Sequence, residues 1–112
     1  MAYTNHIFYE PLRSIDSASL SGTYQALGAP LAHAASIVKL VNNSTVLVTF
    51  SDDGINDVDI APASSFWLYD YTTNTPPQGC NGVFKAKGTQ YLVKGTAGTG
   101  LVYLVTQYIV QV

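Results

Sequence analysis

ASIVKLVNNSTVLVTFS, residues 35–51, decides the fold class. Its two halves, 35–41 and 45–51, are rich in β-branched residues and are separated by Asn42, Asn43 and Ser44. Branched side chains suit a pleated surface, whereas Asn and Ser suit the tight connections between strands. The stretch therefore predicts two strands joined as a short hairpin. In the second strand, period-two geometry puts Val46, Val48 and Phe50 on one face and Leu47, Thr49 and Ser51 on the other.

The same signal continues in both directions. Downstream lie VDIAP (58–62), SSFWLYDY (64–71), CNGVFKAK (80–87), TQYLVKG (89–95) and GLVYLVTQYIVQV (100–112), with Pro62 interrupting the ladder between the first two. Upstream, NHIFYE (5–10) and SGTYQAL (21–27) are weaker strand candidates. No segment carries a helical repeat with caps, although residues 14–19 suit a single turn. About eight short strands with frequent turn signals predict an all-β chain: a single small antiparallel β-sandwich, jelly-roll-like.

The last strand is unusual in length. At ~3.3 Å per residue it would run ~40 Å, so it either bends between sheets or projects beyond its own domain. Val102, Leu104, Tyr108, Val110 and Val112 line one face, and Leu101, Tyr103, Val105 and Ile109 line the other. Both faces need cover.

A chain of 112 residues predicts one domain over 1–112, with 1–13 as an extended N-terminal arm because Pro11 limits regular pairing. Charged residues make up only 11% of the chain, against roughly 25% in an ordinary soluble domain. Polar uncharged residues and eight tyrosines must supply much of the surface, which suits contact with other proteins. Five scattered basic residues (Arg13, Lys39, Lys85, Lys87, Lys94) and a net charge of -2 give no basic stripe, so nucleic acid is not an expected partner. The N-terminus lacks a basic start followed by an apolar run, and no stretch reaches about 18 apolar residues. Neither export by that route nor a membrane span is expected.

Candidate chemistry is sparse. SDDGINDVD, 51–59, gathers Asp52, Asp53, Asp57 and Asp59 around Gly54. It lacks the alternating ligands and closing glutamate of a helix-flanked calcium loop, and one short connection cannot hold two carboxylates across a glycosidase cleft. Asp side chains do bond their own backbone in turns, and Gly54 suits a left-handed closing position, so a structural turn is expected rather than a weak calcium site. GTAGTG, 95–100, has the glycines of a phosphate loop but is followed by a strand instead of Lys-Ser/Thr and a helix; it reads as a hairpin connection using Gly95, Gly98 and Gly100. His6 and His33 have no partner at ligand spacing, and Cys80, set between glycines, has neither a disulfide partner nor an adjacent base. No catalytic, cofactor-binding or metal-ligating residue is assigned.

Residues 37–74, IVKLVNNSTVLVTFSDDGINDVDIAPASSFWLYDYTTN, resemble a pattern of small virion structural proteins of tailed bacteriophages. The shared features are a strand ending in Asn43 and Ser44, a second strand, a Ser-x-Asp-Gly turn at 51–54, a Pro-Ala-Ser step at 62–65 and an aromatic strand ending in Asp70. GTQYLVKGTAGTGLVYLV, 88–105, fits as well, and the N-terminal third is not covered. The resemblance implies a non-enzymatic β-sandwich, made in the host cytoplasm and carried on the virion. Its implied post is a capsid decoration or cement protein that docks on and bridges major capsid subunits. A head or tail fibre component or a head-to-tail adaptor is the near alternative. The two-sided apolar last strand and the low-charge surface predict a homo-oligomer, and the resemblance implies a trimer by preference, because decoration proteins of this group often sit at three-fold positions.

Tyr3, Ile7, Phe8, Tyr9, Trp67, Tyr69, Tyr71, Tyr103 and Tyr108 are the expected oligomer or lattice contacts. The structural turns are expected at Asn43, Ser44, Asp52, Asp53, Gly54, Asp57 and the three glycines of 95–100. A carbohydrate-binding β-sandwich is the alternative of another class, because Trp67, Tyr69 and Tyr71 alternate along one strand as a sugar-stacking platform would. Cover for the opposite sheet or a subunit interface is the competing role for those rings.

Overall fold

A computed structural model of the chain describes residues 5–71 and 85–111. The strands are β1 (Asn5–Tyr9), β2 (Arg13–Asp16), β3 (Gln25–Ala26), β4 (Ile37–Ser44), β5 (Val48–Ser51), β6 (Asp59–Ala61), β7 (Ser65–Asp70), β8 (Leu92–Gly95) and β9 (Gly100–Gln111). A single 3-10 turn, Ser17–Ser19, is capped by Asp16, whose carboxylate accepts from the Ala18 amide at 3.0 Å. The chain is all-β and every strand pairing is antiparallel. No helix among the described residues is long and apolar enough to cross a membrane.

The larger sheet has five strands in the order β1-β9-β4-β7, with β2 sharing the β1 edge of β9; the smaller has four in the order β3-β8-β5-β6. Strict alternation along β4 puts Val38, Leu40 and Asn42 inward, and along β5 Val48 and Phe50 face them. Val93 from β8 and Val102 and Leu104 from β9, none of them measurably exposed, extend this core. Leu27 and Leu31, outside the strands, belong to the same core.

The 35–51 stretch is not a hairpin. β4 lies in the larger sheet between β7 and β9, whereas β5 lies in the smaller sheet between β6 and β8. The residues expected to turn, Asn42 to Ser44, continue the strand, and the chain changes sheets immediately afterwards. Asn42 explains why. Its amide, fully buried, donates to the carbonyls of Val46 and Ala61 at 2.8 Å each and of Pro62 at 3.1 Å, while its oxygen accepts from the Ser44 amide at 3.2 Å. A buried amide with every polar atom used holds a crossing in place. The glycine-rich 95–100 segment is likewise a crossing, from β8 in the smaller sheet to β9 in the larger. It is stapled to the first crossing by Thr45 N–H to the Thr99 carbonyl at 3.0 Å and Thr99 N–H to the Thr45 hydroxyl at 3.1 Å. The true hairpin is β5–β6, and the acidic stretch forms its loop.

β9 organises the larger sheet. β4 accompanies it from Gly100 to Gln107, and β1 accompanies it from Gln107 to Gln111. Beyond Gln107, β9 and β1 therefore form a two-stranded ribbon that continues the sheet past its neighbours, in a molecule 53 Å long and 23 Å wide. The segment read as an arm is thus an edge of the chain's own sheet, interrupted between β1 and β2 where Pro11 stands. Tyr3, Val112 and Cys80 lie outside the described residues, as does most of the 80–87 strand candidate.

Candidate interaction face

The outward face of the larger sheet is apolar. Residues opposite each other in antiparallel strands share a face, so the pairings can be read as rows. Phe66, Val41 and Tyr103 form one row; Leu68 and Val105 flank Lys39 in the next; Ile37 lies between Asp70 and Gln107, with Tyr9 beyond; and Ile7 faces Ile109 on the ribbon. Phe66 is 59% exposed, Leu68 58%, Ile7 57% and Tyr9 65%. Lys39 lies over the Phe66 ring at 5.1 Å, so its stem covers apolar surface while its charge stays at the face. Antiparallel sheets that show one face to water normally alternate apolar-in and polar-out. This one does not.

The smaller sheet carries a second, separate exposure on its opposite side. Thr49 points outward because Val48 and Phe50 point in, and its partner Ile60 stands exposed beside Leu47. Ile55 and Val58, on the acidic loop, are exposed as well.

The ribbon's other side is anchored to the body by a buried polar cluster. Glu10, at the break between β1 and β2, accepts from Arg13 at 2.6 Å, from the Ala32 amide at 3.3 Å and contacts His33 Nδ1 at 2.9 Å. Burial alone would raise the Glu10 pKa, but these bonds outweigh it and hold the carboxyl below its ordinary value. Arg13 also donates to the carbonyls of Ala29 at 2.7 Å and Pro30 at 3.1 Å and to the Thr106 hydroxyl at 3.3 Å, so loop 28–33 is fastened to both β2 and β9. His33 stacks on Tyr108 at 3.7 Å, and Tyr108 stacks on Phe8 at 5.7 Å. The stack fixes the root of the ribbon.

Trp67, Tyr69 and Tyr71 do not stand out as one flat platform. Trp67 and Tyr69 pair with Leu40 and Val38, so they face the smaller sheet. Tyr69 and Tyr71 pack on the core, Tyr69 hydrogen-bonds Asp59, and the Trp67 indole donates to the Ile60 carbonyl at 2.7 Å. Trp67 and Tyr69 thus lie against β6, although Trp67 remains 43% exposed.

In the acidic loop each aspartate has its own partner. Asp53 accepts from the amides of Asn56 and Ile55 at 2.8 Å and from the Ser51 hydroxyl at 2.9 Å, which holds its carboxyl well below the usual carboxylate range. Gly54 takes φ 76°, where only glycine is unstrained. Asp52 pairs with Lys85, and Asp57 with Tyr24 and with Lys94 at 3.1 Å. Burial and then Asp57 push the Tyr24 phenol up to about 12. Among the described residues no group of three His, Cys, Asp or Glu side chains could hold a metal ion.

The structure thus sorts the expected contact residues. It brings Ile7, Tyr9 and Tyr103 onto the apolar face, turns Phe8 and Tyr108 to the ribbon's other side, and puts Trp67 and Tyr69 of β7, with Tyr71 just after it, on the side toward the smaller sheet. Sequence reasoning missed Phe66 and Leu68, which alternate with Trp67 and Tyr69 along β7, and the β4 residues Val41 and Ile37 on the same face. The period-two pattern of 64–71 contained the signal: both of its faces are apolar. No protein-family model matches the chain, and no curated protein matches it.

Proposed function

We propose that the chain is a non-enzymatic virion structural protein of a bacteriophage, made in the host cytoplasm and acting as a capsid decoration or cement protein that bridges subunits of the particle. One observation carries this reading: apolar surface is exposed on opposite outer faces of the two sheets, around Phe66 and Leu68 on one and Leu47 and Ile60 on the other. Contiguous apolar surface larger than a few hundred Å² marks a contact site. Exposed apolar side chains on two opposite faces suit a bridging role, and homo-oligomeric copies would each need only modest affinity for the lattice because later contacts become intramolecular. The resemblance over 37–74 and 88–105 supplies the particle. A fibre or adaptor post uses the same surfaces and differs only in location. The inward packing of Tyr69 and Tyr71 supports this reading over a sugar platform, which needs rings free on one side.

Mass spectrometry of purified particles of the encoding phage, followed by re-addition of the purified protein to particles that lack it, is the test. The chain should be a stoichiometric particle component that rebinds saturably. Its absence from particles, or retention on a glycan array with no affinity for particles, would overturn the proposal.

A further inference from the structure

We infer that the outward face of the larger sheet is covered by a second copy of the same chain, paired about a two-fold axis that brings Lys39 of each copy to Asp70 of the other. The inference rests on the docking reading above and names the partner of that face. Area comes first. From Leu101 to Ile109 the face is ~26 Å long, and the strands from β2 to β7 span ~15–20 Å, so its projected area is on the order of 500 Å² before side-chain relief is counted. That approaches the ~800 Å² per partner of a stable interface.

Composition separates the candidate occupants. A surface that docks transiently is about as apolar as the rest of the protein, whereas homo-oligomer interfaces resemble a core cut in half. Phe66, Leu68, Val41, Tyr103 and Val105 surround a single central cation here, which is the second pattern.

Charge then fixes the symmetry. Lys39 pairs with Leu68 and Ile37 with Asp70, so the lysine and the aspartate sit on neighbouring strands one row apart on the same face. An axis in the plane of the interface, bisecting the line between them, lays each lysine on the other copy's aspartate. A carboxylate accepts at several lone-pair positions, so this contact adds to whatever Asp70 already bonds. An isologous face is self-complementary in this way. It yields pairs, where the phage resemblance implies a trimer.

The test is sedimentation equilibrium of the native protein and three variants, each first shown to be folded by its thermal melt. The native chain should sediment as a dimer. Lys39→Asp should raise the dissociation constant at least about tenfold, Phe66→Ser should do likewise, and the swap Lys39→Asp with Asp70→Lys should return it to within about threefold of native. A native monomer at 100 µM, a closed trimer, or a swap as weak as Lys39→Asp alone would overturn the inference. Particle rebinding is measured on the same samples. A monomer that still binds particles ends the pairing but leaves the virion role. A dimer that restores with the swap yet ignores particles supports the pairing and ends the virion role.

Discussion

The side-chain amide of Asn42 donates to the carbonyl of Ala61 at 2.8 Å, tying the larger sheet to the smaller one where the chain changes sheets. Because the same amide also serves Val46 and Pro62, removing it strands several carbonyls at once. Each buried polar group left without a partner costs about 1–3 kcal/mol. Asn42→Ala should therefore lower unfolding free energy by about 2–4 kcal/mol in urea titration, and Asn42→Asp should not rescue it, since it offers no donor at neutral pH.

A second prediction compares two glycines that both hold positive φ. At Gly100, φ is 107° and a Cβ would lie 2.3 Å from the Asn43 carbonyl oxygen, which is backbone and cannot yield without moving β4. At Gly54, φ is 76° and the nearest atom would be 3.8 Å away, on the Leu92 side chain. Gly54→Ala should cost about 1–2 kcal/mol from conformation alone. Gly100→Ala should cost distinctly more, about 3 kcal/mol or above, because steric displacement adds to it. Equal losses in chemical denaturation would show that the two crossings are not held as described.

Much of this fold was legible in local patterns. The alternation read in 45–51 puts Val48 and Phe50 on one face, and that face is the one buried in the core. What local chemistry could not reveal is which strands pair. Asn42 and Asn43 suit a turn as single residues, yet Asn42 bonds groups up to 20 positions away, and those partners exist only after folding. The turn at Asp53 was readable because its bonds are local, within three residues, whereas the partners of Asp52 and Asp57 (Lys85, Tyr24 and Lys94) lie far along the chain. The interaction face was only half readable: Tyr103 and Ile109 declared a two-sided β9, but Phe66 and Leu68 needed the β4–β7 register to join them.

Acid sensitivity follows from the carboxylates. Glu10, Asp53 and Asp57 all have pKa values lowered by folding. A carboxyl with a lowered folded pKa contributes stability that is present above its unfolded value, about 4, and is lost as pH falls through the folded value. The unfolding midpoint should therefore be flat through neutrality and drop below about pH 4. Glu10→Gln should reduce that dependence while costing about 3–5 kcal/mol at pH 7, because it leaves buried Arg13 without its carboxylate. A variant as stable as native at pH 7 would contradict the role given to the cluster.

The acidic loop should ignore calcium. Asp53 is committed to its own backbone, and Asp52 and Asp57 are committed to Lys85 and Lys94. Melting midpoints in excess chelator and in millimolar calcium should coincide; a ligand binding only the folded form would raise the midpoint as its concentration rises. A rise of several degrees in calcium would turn the loop from a turn into a site.

The most direct measurement is a reconstruction of the particle of the encoding phage at a resolution that traces side chains. The chain should be found on the particle with Leu47 and Ile60 against a capsid subunit and with Phe66, Leu68 and Tyr103 against a second copy of itself. Particles without the chain, or a chain bound with both outer sheet faces open to solvent, would contradict the bridging role.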